Sequence, residues 1–345
     1  TPSQQQEILA LGLPGIGFRS ESKRFYPSGP TASHILGHTN IDNQGIAGFE
    51  KHLDDTGLRA LHSSGFAVKK TLEPVELSID LRVQHFVRQA LAEAMEKYRA
   101  IAAAGVVLDV HTGEIVAMSS LPDYDPNNPV DALKKDRLNR MSAGVYEMGS
   151  TFKTFTTAMA LDSGKVNLSS RFDARKPLYF GRFTINDFHG KRKVLSVPEV
   201  FIYSSNIGTA KMADKVGIEG HRDFIKRIGL LDKITGLELP EIARPTEPRK
   251  WGKLSSITIS YGHGMSTTPL QTAVAAAALV NGGKLLPPTL LPRSRDEATE
   301  LAKLVIKPST SDQMRYLMRL NVLDGSGKRS EVPGFLVGGK TGTAE

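Results

Sequence analysis

Ser150-Thr151-Phe152-Lys153, then Ser204-Ser205-Asn206, then Lys340-Thr341-Gly342-Thr343: the reading of the fold turns on these three strings, taken in this order. A Ser-x-x-Lys string is cheap by itself, and a second copy stands at Ser20 to Lys23. Context separates the two copies. Phe152, Phe155, Met159 and Leu161 follow Ser150 at helical spacing, which predicts a helix that opens at the serine and places Lys153 one turn on, beside the hydroxyl. Ser20 lies among Arg19, Lys23, Arg24 and Pro27, with no such apolar pattern after it. Separation adds to context: Ser204 follows Ser150 by 54 positions, and Lys340 follows Ser204 by 136.

These residue types in this order suit acyl transfer from an amide. The reaction needs a nucleophile, a base, a proton donor for the leaving amine, and N–H groups aimed at the developing oxyanion. A serine hydroxyl is a poor nucleophile near neutral pH. A buried lysine close to another cation holds a neutral amine that can deprotonate it, which assigns the base to Lys153. Ser150, at a helix N-terminus, also offers its own N–H to the oxyanion. Ser204 and Asn206 fall between helices predicted over 197–203 and 207–216. A loop there can point the Ser204 hydroxyl at Lys153 as a proton relay, and the Asn206 amide at that lysine and at a substrate amide. Ordinary helix capping is the competing use of such a Ser and Asn. Lys340 and Thr341, near the end of a strand predicted over 335–341, suit a substrate carboxylate, and Gly342 allows close approach to the backbone. Thr343 faces the same side as Thr341, and its N–H is the second candidate oxyanion donor.

Outward from the strings, 345 residues with 40% hydrophobic content bound one large domain with an appended module, or two domains. The chain has no cysteine, which excludes a disulfide framework, a thiol nucleophile and Cys-based metal sites, and weakly suits an oxidising compartment. No His-x-x-x-His or His-Glu-x-x-His occurs among the nine histidines, and His263, in a Gly-flanked turn, is given a surface or packing role. The formal charge of +8 is spread among interleaved acids and bases, and describes a basic surface. The longest apolar candidate, 272–280, is too short to cross a membrane.

Residues 1–75 are loop-rich, with a turn cluster at 26–30, and predict a small module with short strands; 54–70 is a connector. From 76 onward the pattern is denser. A helix is expected over 83–98, strands over 105–110 and 114–118 about a turn at 111–113, a helix from Pro269 capped by Thr268 to Val280, and a helix over 311–323. The predicted class is α/β: an antiparallel sheet flanked by helices, with a mostly helical subdomain carrying Ser204 to Asn206.

The three strings form the motif set shared by serine β-lactamases and penicillin-binding proteins. The chain resembles the class B penicillin-binding proteins, peptidoglycan D,D-transpeptidases, and among them the division-specific septal type of Gram-negative bacteria. The similarity extends through 24–30, 34–50, Asn139-Arg140, Tyr146 to Ser150, Tyr261-Gly262 and Thr268 to Gln271. The matching first module separates it from soluble β-lactamases. The resemblance implies a non-catalytic module at 1–75 and a transpeptidase domain at 76–345. It implies Ser150, Lys153 and Ser204 as catalytic residues, and Asn206, Lys340, Thr341 and Thr343 as substrate-binding residues. The oxyanion hole would comprise the N–H groups of Ser150 and Thr343.

The same resemblance implies no metal or organic cofactor and no nucleic acid. Its expected partners are the stem pentapeptide with its D-alanyl-D-alanine end, β-lactam antibiotics, and division-complex proteins that include a peptidoglycan glycosyltransferase. It places the protein at the periplasmic face of the inner membrane, held by an N-terminal anchor outside this sequence. Met148 stands where the family usually has proline. The family continues past Glu345 through further strands and a terminal helix, so the sequence is read as a fragment. The competing activities are a β-lactamase or D,D-carboxypeptidase, with water as acceptor, and a β-lactam-binding sensor or inactive divisome scaffold.

Overall fold

The computed structural model describes residues 2–18, 23–57 and 74–344. The Ser20 string and most of the 54–70 connector lie outside these residues. An exposed helix, α1 (Pro2–Ala10), opens the chain where only loops were expected. After it come α2 (Ser33–Leu36), β1 (His38–Thr39) and β2 (Gly45–Ala47), which pair antiparallel, and α3 (Gly48–Asp55). Ile35 and Phe49 from this stretch share one apolar cluster with Ile115, Met118, Met141 and Leu270. Residues within 23–57 therefore share burial with residues later in the chain.

Helix α4 (Leu81–Tyr98) starts at Asp80, whose carboxylate accepts from the Arg82 and Val83 N–H groups. It packs on a hairpin of β3 (Ala103–Leu108) and β4 (Ile115–Leu121), with Gly105 opposite Ser119 and Val106 opposite Met118. The strands are offset from the predicted 105–110 and 114–118 because the turn begins at Asp109. Its carboxylate accepts from the N–H of His111 at 2.7 Å and of Thr112 at 3.3 Å, withdrawing those residues from the ladder. Gln84, fully buried in α4, acts as a short strand on the outer edge of β4. Its Nε2 donates to the Met118 carbonyl at 2.8 Å and the Thr31 carbonyl at 2.7 Å, while its Oε1 accepts from the Met118 N–H at 2.8 Å.

The second core surrounds α5 (Phe152–Asp162), in which every residue from Phe152 to Leu161 is buried. A helix buried on all sides belongs at the centre of a bundle, and its polar members Lys153, Thr156 and Thr157 find hydrogen-bond partners there. Around it run β5 (Arg171–Asp173), β6 (Leu178–Phe180), β7 (Phe183–Ile185), β8 (Val194–Ser196), α6 (Val197–Ile202), α7 (Asn206–Val216), α8 (Ile218–Arg227) and α9 (Lys253–Ser260). The mostly helical subdomain thus includes two small ladders, β5 with β8 and β6 with β7.

Helix α10 (Pro269–Val280) has the predicted bounds. Thr268 caps it, and the Thr268 and Gln271 side chains satisfy each other's backbone N–H groups. This helix also packs against β3, so the hairpin is covered by helices as expected. A last ladder joins β9 (Lys284–Leu285) to β10 (Lys303–Leu304), with α11 (Arg295–Leu301) between them, before α12 (Pro308–Asp324).

The strand predicted over 335–341 is not formed among the described residues. A strand requires a ladder partner, and here the segment's hydrogen bonds go to α12 instead: Gly339 N–H to the Met318 carbonyl at 3.1 Å, and the Arg319 guanidinium to the Val337 carbonyl at 2.8 Å. Among the described residues no helix is long and apolar enough to cross a membrane.

Candidate active site

The turn that delivers Ser150 is a single 3-10 turn, Gly149–Thr151, running directly into α5. Its backbone is held on two sides. Gly149 lies at φ 50°, and a Cβ there would sit 2.0 Å from the Thr343 carbonyl oxygen; Gly262 lies at φ 99°, and a Cβ there would sit 1.8 Å from the Gly149 carbonyl oxygen. Only glycine allows such an approach of three backbone segments in a left-handed conformation. The Gly149 N–H donates to the Gly262 carbonyl at 3.2 Å. Glu147 closes the same seam, accepting from the Gly264 N–H at 2.7 Å and pairing with His263 Nδ1 at 3.0 Å. The role foreseen for His263, surface or packing, thus becomes a specific one: it buttresses the loop against which the serine turn rests.

Ser150 is half-buried, and its hydroxyl bonds to no other described residue. Neither its N–H nor that of Thr343 is donated to a backbone carbonyl among the described residues. Lys153 is 2% exposed, and its ammonium donates to the Ser204 carbonyl at 2.6 Å and to Ser204 Oγ at 3.0 Å. Lys340 also reaches this hydroxyl at 3.0 Å and donates to the Thr341 carbonyl at 2.8 Å. Two cations therefore converge on one neutral oxygen. Burial first, and then the Lys340 charge, push the Lys153 amine down to about 7; the Asp187 carboxylate opposes them. Burial alone brings Lys340 down to about 8.

Ser204 is a non-glycine residue at φ 54°. The capping alternative is taken up by its neighbour: Ser205 caps α7 through the Gly208 N–H at 2.9 Å, which leaves the Ser204 side chain to face the lysines. Ser205 Oγ in turn donates to Asp187 at 2.8 Å, and the other Asp187 oxygen accepts from the Ile207 N–H at 2.9 Å. Asn206 is placed differently from expectation. At the first position of α7, its amide donates to the Asn186 carbonyl at 2.9 Å and makes no hydrogen bond to Lys153. The competing acceptor is a loop 20 residues away, which no local pattern announces.

The structure thus brings Lys153, Ser204 and Lys340 into contact and sets Thr343 against the Ser150 turn. Thr341 Oγ1 lies 2.6 Å from Ser326 Oγ. Asp187, Ser326 and Asn321, which hold these residues in place, went unmarked in the sequence because each acts across a fold contact, and Glu147 was noted only as part of a matching string. Among the described residues no group of His, Asp and Glu could hold a metal ion.

Residues 103–345 match the family model described as the penicillin binding protein transpeptidase domain. The chain is 44% identical over 351 residues to a probable peptidoglycan D,D-transpeptidase FtsI of Caulobacter vibrioides, covering 100% of this chain and 58% of that protein. It is 31% identical over 361 residues to the peptidoglycan D,D-transpeptidase FtsI of Escherichia coli K12, covering 100% of this chain and 60% of that one. It spans, therefore, about three fifths of these relatives. Among solved structures, apo penicillin binding protein 3 of Mycobacterium tuberculosis superposes with a TM-score of 0.80 at 26% identity, over 93% of this chain and 76% of that chain.

Proposed function

The chain belongs to the penicillin-binding-protein transpeptidase family, and we propose that it is a septal peptidoglycan D,D-transpeptidase that works through an acyl-serine. The observation that carries this reading is the convergence of Lys153 and Lys340 on Ser204 Oγ, each at 3.0 Å. Lys153, neutral in a fraction of molecules near pH 7, takes the Ser150 proton as Ser150 Oγ attacks the penultimate D-alanine carbonyl of a stem pentapeptide. The N–H groups of Ser150 and Thr343 receive the oxyanion. The C–N bond breaks as Ser204 passes the proton from Lys153 to the departing D-alanine amine. An amine of a neighbouring stem then attacks the ester; its proton leaves along the same path, an amide cross-link forms, and Ser150 regains its hydrogen. Lys340, Thr341 and Thr343 hold the terminal carboxylate of the donor, and Asn206, through its free carbonyl oxygen, orients the donor amide.

A β-lactam, whose strained amide mimics the donor end, acylates Ser150 and leaves an ester that hydrolyses slowly. On this reading residues 1–75 form a non-catalytic module that serves contacts with division proteins, a glycosyltransferase among them. The working place is the periplasmic face of the inner membrane. Intact-mass spectrometry after incubation with benzylpenicillin, with peptide mapping, tests the proposal. A lasting adduct on Ser150, absent from Ser150→Ala, is expected. Rapid release of hydrolysed penicillin favours a β-lactamase, and a folded protein without adduct favours a scaffold.

A further inference from the structure

We infer that Asn321 is a positioning residue for the carboxylate-holding segment, fixing Lys340 and Thr341 from behind through one buried amide. This assignment rests on the acyl-transfer reading above and adds to it a residue that touches neither substrate nor the reacting atoms. Asn321 lies in the last turns of α12 and is fully buried. Its Nδ2 donates to the Gly339 carbonyl at 2.8 Å, one residue before Lys340. Its Oδ1 accepts from the Ser326 N–H at 3.1 Å and lies 3.3 Å from Ser326 Oγ. Ser326 Oγ is in turn 2.6 Å from Thr341 Oγ1.

Three groups of α12 tether the 337–339 segment: the Met318 carbonyl, the Arg319 guanidinium and the Asn321 amide. Of these, Asn321 alone also bonds Ser326, so it ties the residue before Lys340 to the hydroxyl beside Thr341. The fit is tight. A Cβ at Gly325 would lie 2.2 Å from Asn321 Oδ1, so the Gly325 backbone packs directly against the amide and only glycine fits there. The proton arithmetic gives the tether a chemical use. Thr341 can donate to a substrate carboxylate only if it does not donate to Ser326, so Ser326 must donate to Thr341. The Ser326 hydroxyl is free to do so because its long contact to Asn321 is dispensable: the Ser326 N–H already holds the turn to Oδ1. Without Asn321, the Gly339 carbonyl and the Ser326 N–H lose their buried partner, and the segment bearing both carboxylate ligands shifts.

The test compares two acyl donors, benzylpenicillin and its methyl ester, which differ only in the carboxylate that Lys340 and Thr341 would hold. The second-order rate of Ser150 acylation is measured for the wild type, Asn321→Ala and Asn321→Asp; the aspartate keeps the shape and the acceptor oxygen but cannot donate to Gly339 when ionised. The expected result is a loss of about 10- to 100-fold with benzylpenicillin and little change with the ester, so that discrimination between the donors collapses. Equal losses with both donors, no loss, or failure of both variants to fold overturn the assignment in favour of a merely structural side chain. A folded wild type that neither donor acylates is a separate result, and overturns the acyl-transfer reading together with this one.

Discussion

At the scale of single residues, the function proposed for the site hangs on two lysines with opposite requirements. Lys153 serves as base only when neutral, so acylation should rise as pH rises through about 7. Lys340 holds a carboxylate only when protonated, so the rate should fall as pH rises through about 8. A narrow bell is expected for kcat/KM, and its limbs belong to the coupled pair. Lys340→Gln removes the charge that helps to depress Lys153, so the rising limb should move to higher pH. Following it with an uncharged ester donor keeps the lost carboxylate contact out of the comparison, and an unmoved limb would refute the coupling. Ser204→Gly, a change that suits φ 54°, deletes the shared hydroxyl without backbone strain. Acylation should drop by about 10²- to 10⁴-fold with the melting temperature little changed, and a drop under tenfold would remove Ser204 from the relay. Lys153, Ser204 and Lys340, which the fold brings together, could be singled out in the sequence because residue type and order mark them; the placement of Asn206 beside the Asn186 carbonyl could not. Asp187 and Asn321 were not legible either, since an aspartate or asparagine acquires meaning only from what the fold places beside it.

Elements were legible where their signal is local. Thr268, Pro269 and Gln271 spell out the start of α10, and the apolar spacing through Tyr98 gives α4 to within two residues at its start. Thr268→Ala should cost about 1 kcal/mol by chemical denaturation while leaving acylation unaltered, since the cap holds only the helix end. The segment 335–341 failed as a strand for a different reason: β propensity describes a residue, whereas a strand is a pairing, and its backbone finds α12. Ser204 and Ser205 show the same limit at one-residue resolution, because which serine caps depends on which takes the left-handed conformation. The glycine seam is the element that sequence reading least prepares for. Gly262→Ala combines a left-handed φ with a Cβ 1.8 Å from the Gly149 oxygen, and should cost about 2–4 kcal/mol and suppress acylation together. A variant that lost stability but acylated normally would uncouple the seam from the serine turn.

Across the whole molecule, residues within 23–57 and the later part of the chain are joined through shared burial and through hydrogen bonds. Ile35 and Phe49 lie in one cluster with Ile115, Met118 and Leu270, and the Glu241 carboxylate accepts from the Gly48 N–H at 3.0 Å. The domain division drawn from composition at residue 75 captured the change from loop-rich to periodic sequence. Composition could not reveal that the loop-rich part lends side chains to the other core. Gln84 tests how strongly the two are coupled, since it bonds the Thr31 carbonyl on one side and both backbone groups of Met118 on the other. Gln84→Leu preserves volume but leaves three backbone groups, the two of Met118 buried and that of Thr31 half-buried, without their partner, at a cost of about 3 kcal/mol. If the parts form one cooperative unit, calorimetry should show a single transition, displaced downward in the variant, and protease sensitivity within 23–57 should rise in step with loss of penicillin acylation. Two transitions in the wild type, or a variant in which only 23–57 loosens while acylation persists, would mean that the serine site stands without the first module, and that the shared core is a contact between independently stable parts.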